Sequence, residues 1–164
     1  MEQLRSEFER ASDRLRGQAI AATLTFRVQA GDWRGVAEAK HAQLDLTHDH
    51  AERLALYRDL GQLYAERLGD PDRATEAYQQ ALALQPGDAS LLHALHALHI
   101  STERWEDAVH TLDRLAALEP DAGRRCRHRR EAAEILCDRL HAPLEAIERL
   151  EEALDDDPTM LEAL

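Results

Sequence analysis

The sequence repeats itself at the distance that separates Trp33 from Trp105. This long repeat restricts the possible folds more than any other feature of the chain. The shift that carries Trp33 onto Trp105 needs no gap and superimposes tryptophans, arginines, prolines and alanines. The aligned pairs include Trp33 with Trp105, Asp49 with Asp121, Arg53 with Arg125, Arg58 with Arg130, Pro71 with Pro143, Ala74 with Ala146 and Pro86 with Pro158. A shorter period lies within the long one, because Pro86 is followed by Pro120 at about half that distance. A period of this shorter length, with two helical segments per unit, is typical of stacked helix–turn–helix repeats.

The hydrophobic pattern within each unit is helical. Leu60, Tyr64 and Leu68 follow each other at intervals of four residues and form one apolar stripe. Asp70 and Pro71 then favour the start of a new helix, because Asp caps a helix and Pro suits its first position. The complete pattern predicts helices over about 2–16, 18–30, 33–46, 50–68, 71–84, 88–101, 105–118, 123–140 and 143–156. Since the intervening loops are short, consecutive helices are expected to pack antiparallel.

The composition supports an all-helical chain and limits its partners. Ala and Leu supply 54 of the 164 residues, whereas Val and Ile, which favour strands, supply seven. The formal net charge of −12 argues against a general binder of nucleic acid or of anionic membranes, because like charges repel. The sequence contains no apolar run of the ~20 residues that cross a bilayer, and no signal-peptide pattern. The cytoplasm is therefore the expected location.

Two of the repeated segments carry a recognisable motif. In residues 54–86 it consists of Tyr57, Leu60, Gly61, Tyr64, Gly69, Asp70, Ala74, Tyr78, Ala81, Leu82 and Pro86. In residues 89–120 it consists of Leu92, Leu95, Trp105, Ala108, Leu112 and Pro120. The motif resembles the tetratricopeptide repeat, with one residue added at the turn of the first segment, and with His96 and His99 where the family prefers glycine and tyrosine. Residues 126–158 resemble it with Ala133 in the glycine position, and residues 17–48 match it least.

The resemblance implies an all-α fold, a right-handed superhelical solenoid of antiparallel helix pairs. It implies a single domain over residues 1–164, with a partial helix 1–16 followed by repeat units. The units cover about 17–48, 54–86, 89–120 and 126–158, and a further helix starts at 159–164. Thr159 and Glu162 form a capping-box pattern for that helix. We therefore expect the chain to be part of a longer protein or assembly, or to associate end to end with another copy.

The function that the resemblance implies is non-catalytic binding of a protein or peptide on the concave face, which is built from the first helix of each pair. The residues expected to line this groove are Arg58, Asp59, Gln62, Glu66, His93, Arg127, Arg130, Glu131 and Glu134. Arg58 and Arg130 are equivalent in the long repeat, so they are expected to face the same groove and to bind carboxylates or backbone carbonyls. The other arginines of the segment 124–130 are expected to pair with acidic residues between 151 and 157.

Two alternatives remain at this point. His93, His96 and His99 recur every third residue, so a histidine-rich metal-binding protein is the first alternative. Their directions spread around the helix, which favours a packed, hydrogen-bonded His99 in the tyrosine position and His93 in the groove. A regulatory segment of a larger enzyme is the second alternative. The sequence shows no catalytic arrangement and no cofactor motif, and Cys126 and Cys137, about 16 Å apart on one helix, are expected to be core residues.

Overall fold

The computed structural model describes the backbone of residues 2–156, together with the side chains of residue 12 and residues 15–156. Its regular structure is helical, and no strand occurs among the described residues. The helices are α1 (Glu2–Ala30), α2 (Trp33–Leu46), α3 (His50–Leu63), α4 (Pro71–Leu84), α5 (Ala89–Ser101), α6 (Trp105–Leu118), α7 (Ala122–Asp138) and α8 (Pro143–Asp156), and a π-helical turn (Tyr64–Leu68) extends α3. The expected all-α fold class is therefore confirmed.

The chain divides into two compact units. Unit 1 ends at Leu84 and contains α1–α4, and unit 2 begins at Gln85 and contains α5–α8. Within each unit every helix packs against the next one along the chain. Connections of two to four residues join these helices, and so short a connection makes the two helices run antiparallel.

Aspartate side chains determine where most of the helices begin. Asp49 Oδ1 accepts a hydrogen bond from the Glu52 amide at 2.8 Å, and Asp121 Oδ1 accepts one from the Arg124 amide at the same distance. Caps of the same kind begin α2, α4 and α5, from Asp32, Asp70 and Asp88. An N-cap of this type stabilises a helix by ~1 kcal/mol. The capping predicted for Asp70 is therefore confirmed.

The first helix corrects one sequence prediction. The pattern predicts two helices, 2–16 and 18–30, but the structure has the single helix α1 across Gly17. A lone glycine costs a helix only ~1 kcal/mol relative to alanine, and no proline or capping residue follows it to begin another helix. The further helix predicted at 159–164 lies outside the described residues.

Three alanines of the repeated segments are buried. Ala74 in unit 1 is buried, and so are Ala108 and Ala146 in unit 2, with at most 5% of their surface exposed. In unit 1, Gly61 faces Tyr78, whose ring occupies the space that a Cβ atom on Gly61 would need. In unit 1, glycine on one helix thus accommodates a larger side chain from another, and in both units the alanines are part of the core.

Trp33 and Trp105 have equivalent surroundings in the two units, as predicted. Each is the first residue of its helix, α2 or α6. The guanidinium group of Arg67 lies 5.0 Å from the centre of the Trp33 ring, and that of Arg139 lies 4.9 Å from the Trp105 ring. Both distances are within the range of a cation–π interaction. The long repeat is therefore a repeat of side-chain contacts as well as of sequence.

The π-helical turn accommodates the residue that is added after α3. The Asp70 amide donates to the Tyr64 carbonyl at 3.0 Å, and Gly69 takes a left-handed conformation with φ of 62°, which glycine adopts without steric cost. α7 ends in a related way, because the Leu140 amide donates to the carbonyl of Ile135, five residues earlier, at 3.2 Å. The wider turn lengthens each of these segments without interrupting the chain of hydrogen bonds.

Candidate functional site

In unit 1 the predicted groove residues share the exposed face of α3. Arg58, Asp59, Gln62 and Glu66 are all exposed. Asp59 Oδ2 accepts a hydrogen bond from Lys40 Nζ at 2.6 Å, and Gln62 Nε2 donates to Glu66 Oε1 at 3.1 Å. The structure thus brings these four residues together on one surface, which carries both signs of charge.

In unit 2 two predicted groove residues, His93 on α5 and Glu131 on α7, each lie close to a histidine of the other helix. The rings of His93 and His128 are 5.8 Å apart between centroids. His96 Nε2 lies 3.5 Å from Glu131 Oε1, without the geometry of a hydrogen bond. His93 and Glu131 are exposed, whereas His96 and His128 are partly buried. The sequence prediction did not include His128, which its helical spacing from Glu131 could have indicated.

The arginine-rich segment of α7 separates into two faces. Arg125 Nε donates to Asp156 Oδ1 at 2.6 Å, and Arg129 bonds Asp156 and lies 3.4 Å from Glu152 Oε2. These contacts with α8 confirm the ion pairs that the sequence predicted for this segment.

The opposite face of α7 carries the predicted groove residues. Arg127, Arg130, Glu131 and Glu134 are all exposed there. Arg130 Nε lies 3.5 Å from Glu134 Oε1, one helical turn away. An exposed pair of this kind contributes at most ~0.5 kcal/mol, so both side chains can be recruited by a ligand at little cost.

Burial determines the charge state of the histidines between α5 and α7. It lowers the pKa of His96, and the neighbouring His93 lowers it further, whereas Glu131 partly opposes the shift. Burial also lowers the pKa of His128, again with His93 acting in the same direction. Both imidazoles are therefore neutral at pH 7, and each can donate one hydrogen bond and accept another.

His99 is a core residue, as the sequence predicted. Only 4% of its surface is exposed, and its Nδ1 atom lies 3.3 Å from Thr111 Oγ1. The Thr111 hydroxyl donates to the Asp107 carbonyl at 2.7 Å, so Nδ1 is the donor toward Thr111 and Nε2 is left as a buried acceptor. Burial lowers the pKa of His99, because a proton on Nε2 would place a charge where no partner is available.

The histidines and acids of the described residues do not assemble as metal ligands. No group of three or more His, Cys, Asp or Glu side chains within residues 15–156 is arranged to hold a metal ion. His99 is buried in the core, whereas His93 is exposed on the surface of the same helix.

The cysteines correct another prediction. Cys126 is buried, as expected, but Cys137 is exposed. A separation of eleven residues places Cys126 and Cys137 on the same side of α7. Neighbouring helices, however, do not cover that side along its whole length.

A cavity of about 680 Å³ opens in unit 1 between α2, α3 and α4. Its buried lining residues are Ala37, Leu60, Tyr64 and Ala77. Its charged lining residues are Arg34, Glu38, Asp70, Arg73 and Glu76. None of the predicted groove residues lines it, because those on α3 occupy another face of that helix. The sequence analysis therefore missed this site.

Unit 2 has a much smaller cavity at the equivalent place, of about 250 Å³. Four of its lining residues are equivalent in the long repeat to lining residues of the larger cavity. The equivalent pairs are Asp113 with His41, Arg129 with Tyr57, Arg149 with Ala77, and Glu152 with Gln80. Arg149 donates to both carboxylate oxygens of Asp113, at 2.8 and 3.0 Å. These hydrogen bonds raise the pKa of Arg149, so that its guanidinium group is charged.

An exposed apolar stripe runs along α8. Leu144, Ile147 and Leu150 have 77%, 50% and 37% of their surface exposed. On α6, the residues Val109 and Leu112, which correspond to Ile147 and Leu150, are buried, because α7 packs against that helix. The stripe on α8 is therefore a surface on which another helix can pack. Separately, none of the described helices is long and apolar enough to cross a membrane.

Comparison with known proteins identifies the fold. The family model of the tetratricopeptide repeat matches residues 65–127. No curated protein matches the chain by sequence.

Several solved structures are similar to the chain. A MamA double mutant superimposes with a TM-score of 0.54 and 18% identity, over 87% of this chain and 76% of that one. MamA from Desulfovibrio magneticus RS-1 gives a TM-score of 0.52 and 13% identity over the same shares. The TPR-like repeats of a putative kinesin light chain from Podosopora anserina give 0.51 and 21%, over 90% of this chain and 76% of that one. Identities this low show the fold alone, and they confirm the predicted resemblance to the tetratricopeptide repeat.

Proposed function

Starting from the tetratricopeptide-repeat fold, we propose that the chain is a non-catalytic scaffold that binds a protein or peptide, with one binding face on α3 in unit 1 and another on α5 and α7 in unit 2. The fold is in general that of a protein-interaction scaffold. The observation that carries the proposal is the division of α7 into two faces. Arg125 and Arg129 are engaged with α8, whereas Arg127 and Arg130 are exposed on the opposite face of α7.

The chemistry of this surface favours a polar ligand in an extended conformation. Neutral His128, which is partly exposed, can donate one hydrogen bond and accept another, as the amide groups of a peptide require. Arg127 and Arg130 can bind carboxylates or backbone carbonyls, and Glu131 and Glu134 can accept from amides. Weak exposed pairs such as Arg130 with Glu134 are replaced by stronger ligand contacts at little cost.

The two alternatives have less support than the scaffold. A metal-binding function would need three converging ligands, whereas His99 is enclosed in the core and hydrogen bonded to Thr111. A regulatory role in a larger enzyme is compatible with binding, and it would use the same surface. The expected cytoplasmic location stays a prediction.

The proposal is tested by selecting a phage library of random twelve-residue peptides on the protein. We expect enriched sequences whose capture falls about tenfold or more when Arg130 is replaced in Arg130→Glu, since a hydrogen bond to a charged group contributes about 1.5–3 kcal/mol. Arg58→Glu tests the face of α3 in the same way. Arg114→Glu, on the second helix α6, introduces the same change in charge elsewhere and should leave capture unchanged.

Circular dichroism keeps the result interpretable, because the variants must retain the helical content of the parent. Enrichment of peptides whose capture survives both Arg58→Glu and Arg130→Glu would place binding on another surface. Failure to enrich any sequence would contradict the proposed function itself.

End-to-end self-association also stays a prediction. The exposed stripe of Leu144, Ile147 and Leu150 on α8 supports it, because a second copy can cover this apolar surface. Sedimentation velocity over a concentration series measures it, with Ile147→Gln as the variant that should shift the protein toward the monomer.

A further inference from the structure

The cavity of unit 1 is a site that the proposed groove does not use. It holds about 680 Å³ between α2, α3 and α4, and none of the residues proposed for peptide binding lines it. Its volume is within the range of pockets that receive a ligand or a large side chain.

Unit 2 shows what occupies the equivalent space in the same fold. There the side chain of Arg149 extends from α8 toward α6, and its guanidinium group binds the carboxylate of Asp113 through two hydrogen bonds. The remaining cavity is about 250 Å³. In unit 1 the position of Arg149 is taken by Ala77 and the position of Asp113 by His41. The cavity of unit 1 is thus open at the place that corresponds to the side chain of Arg149 in unit 2.

The lining of the unit 1 cavity suits the two parts of an arginine side chain. Leu60 and the ring of Tyr64 are apolar surfaces against which an aliphatic stem can pack. Tyrosine rings attract guanidinium groups in this very region, because Arg53 lies 5.6 Å from the Tyr57 ring and Arg73 lies 5.7 Å from the Tyr64 ring.

The charges around the cavity favour a cation. Three acidic residues line it, Glu38, Asp70 and Glu76, and two of them are paired with arginines. Asp70 is 3.4 Å from Arg73, and Glu38 is 3.2 Å from Arg27. Glu76 makes no ion pair with any described residue, and it directly precedes Ala77. The chain as a whole has a net charge of −12, which attracts basic partners at long range.

We propose that the cavity between α2, α3 and α4 binds an arginine side chain of a partner protein, in the place that Arg149 fills in unit 2. The stem packs against Leu60 and Tyr64, and the guanidinium group is held by Glu76 and the tyrosine rings. This proposal is independent of the peptide groove, because the two surfaces share no residue.

The test is a nuclear magnetic resonance titration of the full chain, labelled with ¹⁵N, with N-acetyl-arginine amide as the probe. We expect shifts that saturate at millimolar concentration and are concentrated at the amides of Ala37, His41, Tyr57 and Ala77. N-acetyl-leucine amide and N-acetyl-glutamate amide should not produce them. Equal shifts with either of these probes would overturn the proposal, because they would show that the cavity does not select a cation.

Two variants of α4 form a matched pair. Ala77→Arg supplies the side chain that unit 2 has at this position, so it should fill the cavity and abolish the shifts. Ala83→Arg adds the same charge at an exposed position of the same helix and should leave the shifts in place. Shifts that persist in Ala77→Arg would contradict the proposed site.

A third variant makes the test independent of how well Ala77→Arg folds. Glu76→Gln removes one charge at an exposed residue and should weaken binding of the arginine probe about fivefold, as an exposed ion pair of ~1 kcal/mol predicts. An unchanged affinity would overturn the role of Glu76. The reverse change, Arg149→Ala, should create a second site for the probe near Asp113, and the lack of new shifts there would show that the two cavities are not equivalent.

Discussion

The segments α2–α4 of unit 1 and α6–α8 of unit 2 are two versions of one design. They are equivalent in the long repeat and begin with Trp33 and Trp105, each of which contacts an arginine at nearly the same distance, 5.0 and 4.9 Å. They differ in how the space between their three helices is filled. Unit 1 leaves a cavity of about 680 Å³, whereas unit 2 places Arg149 across the equivalent space.

The two units also differ in the sizes of paired side chains. Leu60 in unit 1 corresponds to Ala132 in unit 2, and both are fully buried. In unit 2, α6 contacts α7 more extensively than α2 contacts α3 in unit 1. A repeat of backbone structure therefore does not fix the cavity, because the cavity depends on side-chain volumes that change from one unit to the other.

The largest expected effect comes from enlarging a side chain in the closely packed unit. Ala108 is fully buried, and its counterpart in unit 1 is Val36. We expect Ala108→Leu to lower the free energy of unfolding by ~1–3 kcal/mol, because a full core has no room for the added atoms. Urea denaturation measures this change. Ala97→Leu, at an exposed position of α5, should change it by at most ~0.5 kcal/mol. A change at Ala108 no larger than that of the control would show that the site is not closely packed.

A second prediction concerns the pair Gly61 and Tyr78, which corresponds to Ala133 and Leu150 in unit 2. A Cβ atom on Gly61 would lie 2.8 Å from Tyr78 Cζ and closer still to the ring edge. We expect Gly61→Ala to destabilise the protein by about 1 kcal/mol or more through overlap with the ring. In the Tyr78→Leu background the same change should become stabilising by ~0.5–1 kcal/mol, because alanine favours a helix.

The control for this cycle is Gly17→Ala in α1. Apart from the backbone of α1 itself and the two neighbouring residues, no described atom lies within 4 Å of a Cβ placed there, so the helix preference of alanine is the expected effect. If Gly61→Ala has the same sign in both backgrounds, glycine and tyrosine are not a matched pair, and the two units do not differ in the way described.

The smallest effect at neutral pH concerns the histidines of unit 2. Burial lowers the pKa of His96, His99 and His128 below the ordinary value of 6.5, so the unfolded chain binds more protons near that pH. The folded state is therefore not penalised by these neutral histidines above pH 6.5, and the free energy of unfolding decreases as the pH falls below that value. We expect unit 2 to weaken more than unit 1 between pH 7.5 and 5.5.

Each unit has one tryptophan that can report on it. Urea unfolding followed by fluorescence in Trp33→Phe reports on Trp105 in unit 2, and the same measurement in Trp105→Phe reports on unit 1. His99→Phe should reduce the pH dependence of the Trp105 signal, whatever its effect on stability at pH 7.5. Equal pH dependence of the two signals would contradict the prediction.

Much of the helical structure could be predicted from the sequence because its causes are local. Asp49 and Asp121 cap helices through amides three residues away, and the stripe of Leu60 and Tyr64 lies within two turns of one helix. The one wrong boundary, at Gly17, also has a local cause, since the preference of glycine is too weak to end a helix by itself.

The candidate sites were predicted less completely. Helical spacing alone places Arg127 and Arg130 on a different face of α7 from Arg125 and Arg129, and their exposure and ion pairs agree with it. His128 could have been found in the same way, from its helical spacing to Glu131, but the exposure of Cys137 could not, because it depends on how far a neighbouring helix extends along α7.

The sequence by itself determined the period, most of the helices and the tetratricopeptide-repeat fold, because each follows from interactions between residues close together in the chain. Only the tertiary structure decided where space is left. Ala77 and Arg149 occupy equivalent positions, yet one borders a cavity and the other binds Asp113 on another helix. The physical reason is that a cavity is the difference between the volume that several helices enclose and the volume of the side chains they direct into it. That difference involves residues far apart in sequence, so no local pattern records it.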